Sequence, residues 1–318
     1  MKHVIVTGGS GFIGSHLCEA LLKRGYAVSA IDNFLTSDGT NLKELKDHPH
    51  FFFLKHDICD PIQESQIPGL QKWGLHGLLH FACPASPVDF DRIPFEILRV
   101  DSLGTIQTVE WAQKFNSRYL LASTSEVYGD PLVHPQVESY WGNVNPIGPR
   151  ACYDETKRFA EAYVSTATRL KGLNGGIVRI FNTYGPKMRI DDGRIVPELC
   201  RQGLEGLPLT IHGDGQQTRS FCYITDLIEG ILRLFESPIH EPVNLGNPNE
   251  YSVLEFAHVV RRLTEERSSL KHLPARPDDP KVRRPEITRA KTLLGWEPKV
   301  GLEDGLRASL DFFRKQLS

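Results

Sequence analysis

The segment "KHVIVTGGSGFIGSHL" near the amino terminus constrains the fold more than any other stretch. A short β-branched run ends at Thr7, glycines follow at 8, 11 and 14, and Ile13, Leu17 and Leu21 then recur at i, i+4 and i+8 as one face of a helix. Strand, glycine turn and helix together form the arrangement in which backbone amides and a helix N-terminus meet a pyrophosphate. Gly8, Gly11 and Gly14, with Phe12 and Ile13 between them, are therefore the candidate dinucleotide cradle. A plain flexible turn has the same composition, and Asp32 separates the two readings. It closes the second apolar run, "AVSAID", where a carboxylate accepts a ribose diol and repels a 2′-phosphate, so NAD is expected over NADP. Asn33 adjoins it. Asp57 and Ile58 in "LKHDI" follow the third run and suit the adenine end, although an N-cap aspartate reads the same way.

Further runs, "GLLHFA", "RYLLAST" and "GGIVRIF", alternate with helical patterns, which calls for a parallel sheet covered on both faces. The expected class is α/β, a Rossmann-type doubly wound parallel sheet with a smaller C-terminal α/β substrate lobe. The dinucleotide-binding part takes residues 1–180, with 216–246 returning to it; 181–215 and 247–318 make the lobe, including "ARPDDPKVRRPEI" and the closing helix "LEDGLRASLDFFRKQL". Connections at 83–94 and 129–149, rich in proline and small residues, are long enough to shape a site.

A formal net charge of -2 provides no field for nucleic acid or an anionic membrane, so any bound anion must meet a local cluster. Six cysteines lack C-x-x-C spacing and the histidines form no ligand pattern beside them, so no metal is expected and the thiols read as reduced and cytoplasmic. The first strand leaves no room for a charged leader, and no apolar run reaches the roughly 20 residues of a membrane-spanning helix.

The stretch "PRACYDETKRFAEAY" sets Tyr153 four residues ahead of Lys157, on one helical face. An ammonium beside a phenol favours the phenolate. Moving a phenol from about 10 to near 7 takes roughly 4 kcal/mol, which a cation, a nicotinamide ring and hydrogen bonds supply jointly. The spacing alone also occurs on solvated helices. Its context is the strand end "LLASTSEVYG", which delivers Ser123, Thr124, Ser125 and Glu126 to the carboxyl edge of the sheet, where ligands of such folds sit. With NAD alongside, the pair reads as a base for hydride abstraction from an alcohol.

These residues, with "STSEVYGDPLVHPQ", "YWGNVNPIGPRACYDETKR", "RIFNTYGP", "DGQQTRSFCYITDL", "VNLGNP" and "RRPEITRAKTLLGWEP", resemble the extended short-chain dehydrogenase/reductase superfamily and, within it, the UDP-glucuronate decarboxylases. The resemblance implies oxidation of UDP-glucuronate at C4, loss of CO2 from the β-keto acid and re-reduction to UDP-xylose, on a chain that usually dimerises through helices including the one bearing Tyr153. It implies catalytic roles for Tyr153, Lys157, Thr124 at the C4 oxygen, Ser125, and Glu126 near the carboxylate or C5. Arg219 would grip the nucleotide portion, Asn182 would touch the diphosphate or sugar, Arg283 would meet the carboxylate or its neighbouring groups and Arg194 would join the substrate site, while Pro84, Ala85 and Ser86 would approach the sugar. The alternative for each arginine is a surface or interlobe salt bridge. Two positions depart from the pattern: Asp101 stands where asparagine is common, and Thr156 where glycine is frequent; "TSDGTNLKELKDHPH" also lacks the usual basic character. Release of a 4-keto pentose, epimerisation or 4,6-dehydration are alternatives, and an NAD-sensing protein without turnover is a third class.

Overall fold

Every residue of "HVIVT" is buried, because β1 (His3–Thr7) lies mid-sheet with both faces covered. The computed structural model describes residues 1–275 and 281–317; the part of "ARPDDPKVRRPEI" at 276–280 lies outside the described residues. After β1 come α1 (Phe12–Lys23), β2 (Ala27–Asp32), β3 (Phe51–Lys55), α2 (Pro68–Trp73) and β4 (Gly77–His80). Two short helices, α3 (Pro87–Arg92) and α4 (Pro94–Arg99), run through a π turn at Val100–Gly104 into α5 (Thr105–Lys114), then β5 (Arg118–Thr124), α6 (Ala151–Lys171) and β6 (Gly175–Ile180). The remainder holds β7 (Thr183–Tyr184), α7 (Ile195–Glu205), β8 (Leu209–His212), β9 (Thr218–Ser220), β10 (Cys222–Tyr223) and α8 (Ile224–Phe235). It closes with β11 (Pro242–Leu245), β12 (Glu250–Ser252), α9 (Val253–Leu263), β13 (Leu270–Leu273), α10 (Thr288–Leu294) and α11 (Leu302–Leu317).

Seven strands form one parallel sheet in the order β11-β6-β5-β4-β1-β2-β3. The chain leaves β1 towards β3 and returns on the other side at β4, which opens a crevice at the carboxyl ends of β1 and β4. Alternation divides the strand residues between faces. Val4 and Val6 pack with Leu17 and Leu21 of α1 and Ile231 of α8, whereas Ile5 packs with Val109 of α5 and Val164 of α6. Buried His3 has a structural place, its ring nitrogens bonded to Gly74 O at 2.8 Å and Ser29 Oγ at 2.9 Å.

A second core joins Leu199 of α7, Ile211 of β8, Phe256 of α9 and Leu310 of α11. Ile287, Ala290 and Trp296 belong instead to the core that contains Val243 and Leu245 of β11. Where the sequence reads 83–94 as a connection, Pro87 starts a six-residue helix. A proline at the first helical position loses no intrahelical bond, and six residues are too few to display a period.

Candidate functional site

The glycine turn is shaped by backbone contact. Gly8 adopts φ +68°, and a Cβ there would stand 2.5 Å from Phe81 O after β4; one on Gly14 would stand 2.0 Å from Gly8 O. Gly8 N donates to Ile31 O at 2.8 Å, which ties the turn to the end of β2. The N-terminus of α1 carries no side-chain cap, so its amides are available to an anion. Asp32 accepts from Ser10 N at 3.0 Å and Phe34 N at 2.9 Å, which hold its carboxylate beside the turn; burial, its largest influence, raises its pKa. A cradle that a side chain would fill, an uncapped helix and a fixed carboxylate fit a dinucleotide with free ribose hydroxyls.

Asp57 accepts from Cys59 N at 2.9 Å in a turn of its own and from Asn33 Nδ2 at 3.2 Å. Asp32, Asn33, Asp57 and Ile58 lie outside the lining of the cavity beside the glycine turn, which measures about 1150 Å³. Gly8, Gly11, Phe12, Ile13 and Gly14 line one end of it. Thr124, Ser125, Glu126, Tyr153 and Lys157 line the middle, and Pro84, Ala85, Ser86, Asn182, Arg194 and Arg219 the remainder.

Tyr153 and Lys157 share the inward face of α6 and both are buried. The Lys157 Nζ stands 5.6 Å from the Tyr153 ring centroid, and Phe90 stacks on that ring at 5.1 Å. Nζ donates to Ala122 O of β5 at 3.1 Å and lies 2.9 Å from Asp101 Oδ1 in the π turn. Burial opposes the ammonium, but Asp101 together with Cys83 and Tyr153 outweighs it, so the Lys157 pKa is raised. Burial also raises Tyr153, and the Lys157 charge and the Thr124 hydroxyl offset this only in part. The protein's own groups thus leave the phenol above its ordinary value, contrary to what the spacing with lysine suggests.

Thr124 caps the turn after β5, its Oγ1 accepting from Glu126 N at 3.2 Å. Ser123 points away to Glu161, which pairs with Arg179. Glu126 sits in an arginine cage. Arg150 NH2 donates to its Oε2 at 2.5 Å, and Arg283 NH2 lies 3.3 Å from the same oxygen. Burial pushes the Glu126 carboxyl up, yet Arg283, Arg150 and Arg219 bring it down to about 2, so it is ionised at neutral pH. Arg283, 1% exposed, lies outside the cavity lining and braces the strand end, with NH1 donating to Ser125 O at 2.6 Å.

Arg150 and Asp154 escape the sequence reading. Arg150, just ahead of α6, lies over Phe90 at 5.3 Å and 3.7 Å from Asp154 Oδ2. Burial and the Glu126 charge push Asp154 up to about 7. Only the position of Arg150 three residues before Tyr153, one turn below it, signals its role. Ser86 Oγ donates to Asp192 O, and Asp192 also pairs with Arg194, which clasps the 84–92 segment to the loop before α7. Among the described residues no group of histidine, cysteine and carboxylate side chains could hold a metal ion, and no helix is long and apolar enough to cross a membrane.

Comparison with known proteins places this geometry. Residues 5–309 match the family model described as GDP-mannose 4,6 dehydratase. UDP-glucuronic acid decarboxylase 1 of Danio rerio is 45% identical over 99% of this chain and 73% of its own length. UDP-glucuronic acid decarboxylase 6 of Arabidopsis thaliana is 46% identical over 99% of this chain and 89% of its own length. Among solved structures, UDP-glucuronic acid 4-epimerase from Bacillus cereus, in complex with UDP-glucuronic acid and NAD, superposes with a TM-score of 0.88 at 31% identity, covering 99% of this chain and 100% of its own. Similar over nearly its whole length to relatives of one kind, the chain belongs to the GDP-mannose 4,6 dehydratase family and, within it, to the UDP-glucuronic acid decarboxylases.

Proposed function

We propose that the chain converts UDP-glucuronate to UDP-xylose with NAD, through oxidation at C4, loss of CO2 and re-reduction. One observation carries this reading: the glycine turn, the Tyr153–Lys157 pair and Glu126 line a single continuous cavity. Gly8, Gly11, Phe12, Ile13 and Gly14 would hold the pyrophosphate, Asp32 and Asn33 the ribose, and Asp57 and Ile58 the adenine end. NAD, when bound, supplies the acceptor and later the donor of the C4 hydride. Tyr153 takes the C4 hydroxyl proton while Thr124 orients that oxygen and Ser125 shapes the strand end. Lys157 stabilises the phenolate. The resulting ketone lies β to the C6 carboxylate and accepts the electrons of the breaking C–C bond.

Glu126 works as an anion, since three arginines hold it ionised. It positions Arg150, which lines the cavity, and is itself held by Arg283, so that the Arg150 fork faces the substrate carboxylate. Arg219, Asn182 and Arg194 face the diphosphate, with Pro84, Ala85 and Ser86 against the sugar.

The division into a dinucleotide part at 1–180 and 216–246 and a substrate lobe at 181–215 and 247–318 belongs to the same reading. So does a homodimer, supported by exposed Phe95 and Leu98 on α4, Leu103 in the π turn and Phe159 on α6. The six free cysteines agree with work in the reducing cytoplasm.

Incubation of the purified protein with UDP-glucuronate tests the reading. CO2 with UDP-xylose and no lasting nicotinamide absorbance is the expected result. Accumulating NADH would mean that the 4-keto pentose escapes, and conversion of UDP-glucose to UDP-galactose without gas would overturn the decarboxylase reading.

A further inference from the structure

Asp101 has no place in the scheme above, yet it makes the closest charged contact to the proposed base pair. It is fully buried in the π turn, a helical irregularity that tends to occur at functional sites. Its Oδ1 lies 2.9 Å from Lys157 Nζ, an ion pair rather than an aligned hydrogen bond. Its Oδ2 accepts from Cys83 Sγ at 3.1 Å and from Thr156 Oγ1 at 3.3 Å. Asp101 and Thr156, the two departures noted in the sequence, thus touch each other and both adjoin the lysine.

We propose that Asp101 is a positioning residue that fixes Lys157 and offsets its charge, so that the Tyr153 proton is held to higher pH than beside an uncompensated lysine. The inference rests on the assignment of Tyr153 and Lys157 as the base pair. An ammonium pulls on a phenol through its field, and a carboxylate in contact with that ammonium cancels part of the field. The other groups that act on the pair do not replace this effect. Burial holds His80 of β4 down to about 3, with Lys157 acting the same way, so the ring is neutral. Burial keeps the Cys83 thiol protonated, and Asp101 reinforces this. Tyr119 of β5 is raised by burial. Arg194, ahead of α7, stays cationic with Asp192 as its partner. Asp101, in contact with Lys157 Nζ and fully buried, is therefore the carboxylate that sets the balance between Lys157 and Tyr153.

The test is an ultraviolet tyrosinate titration of the NAD-loaded protein. The chain has nine tyrosines, and subtracting the Tyr153→Phe titration isolates the one of interest. In Asp101→Asn the Tyr153 transition falls by about one pH unit, and the acid limb of kcat moves with it while KM for UDP-glucuronate stays within about two-fold. Asp101→Ser, smaller and also uncharged, shows the same displacement and serves where the asparagine variant fails to fold. A transition that stays in place or moves upward in either variant overturns the inference. The titration needs no turnover, so a protein that shifts its tyrosine but releases no CO2 keeps this inference and sinks the decarboxylase reading.

Discussion

Replacing Arg283 by methionine tests whether the cage around Glu126 has the energetics its geometry implies. Arg283 is 1% exposed and its NH2 lies 3.3 Å from Glu126 Oε2. At an effective dielectric constant of about 20, a pair at that separation attracts by roughly 5 kcal/mol, and recovering the cost of burying the guanidinium leaves a net loss of about 3 kcal/mol. The pH dependence gives a sharper signature. Glu126 titrates at about 2 in the folded protein against an ordinary 4.5, a depression that contributes about 3 kcal/mol of stability. Because the folded value is the lower one, this stability is fully present above about pH 4.5 and is lost as pH falls through about 2. In Arg283→Met only Arg150 and Arg219 remain to hold the charge, so the gap between variant and parent is steady near neutrality and narrows on acidification. Urea unfolding followed by tryptophan fluorescence from about pH 7 to pH 3 measures both. The double variant Arg283→Met/Glu126→Gln should recover at least about 1 kcal/mol of the summed single losses, since neither charge is then left unpaired. Equal stability at neutral pH, or a gap that widens on acidification, refutes the cage.

Tyr153→Phe should retain NAD, measured by cofactor fluorescence quenching to within about two-fold, while decarboxylation falls by at least about 100-fold, the range of general base contributions. Unchanged turnover would remove this tyrosine from the mechanism. Gly14→Ala places a methyl 2.0 Å from Gly8 O, 2.8 Å from Gly8 C and 2.9 Å from Gly9 Cα, all backbone atoms that cannot yield without moving the turn. Loss of about 1–3 kcal/mol in urea and at least about ten-fold in NAD affinity is expected; normal affinity would show that this turn does not carry the pyrophosphate.

The sheet was legible because its central strands are buried on both faces and read as unbroken apolar runs, and because a glycine turn joins β1 to α1 with Asp32 closing the next strand. Tyr153 and Lys157 share a helix, so their common face follows from the helical period alone. What the sequence hid are contacts between distant segments. Asp101 meets Lys157, and Arg283 meets Glu126, only after α4, α6 and the segment before α10 have packed, and no local period encodes such meetings. The π turn at Val100–Gly104, which holds Asp101, shifts hydrogen bonds by one residue inside an otherwise helical pattern, and no residue type in "VDSLG" announces it. The bonds that Arg283 makes to Ser125 O and to the Glu126 carboxylate, about 158 positions away in the chain, were hidden as well. The rise in the Tyr153 pKa was equally hidden, since burial of the ring by Phe90 and the strand end outweighs a neighbour four residues away.

The central claim is that Tyr153 starts an oxidation at C4 whose hydride returns to the same carbon after CO2 has left. UDP-glucuronate deuterated at C4, turned over in ordinary water, tests this in one product analysis. UDP-xylose that keeps the deuterium at C4 is the predicted result, and UDP-xylose that has exchanged it for solvent hydrogen would contradict the account.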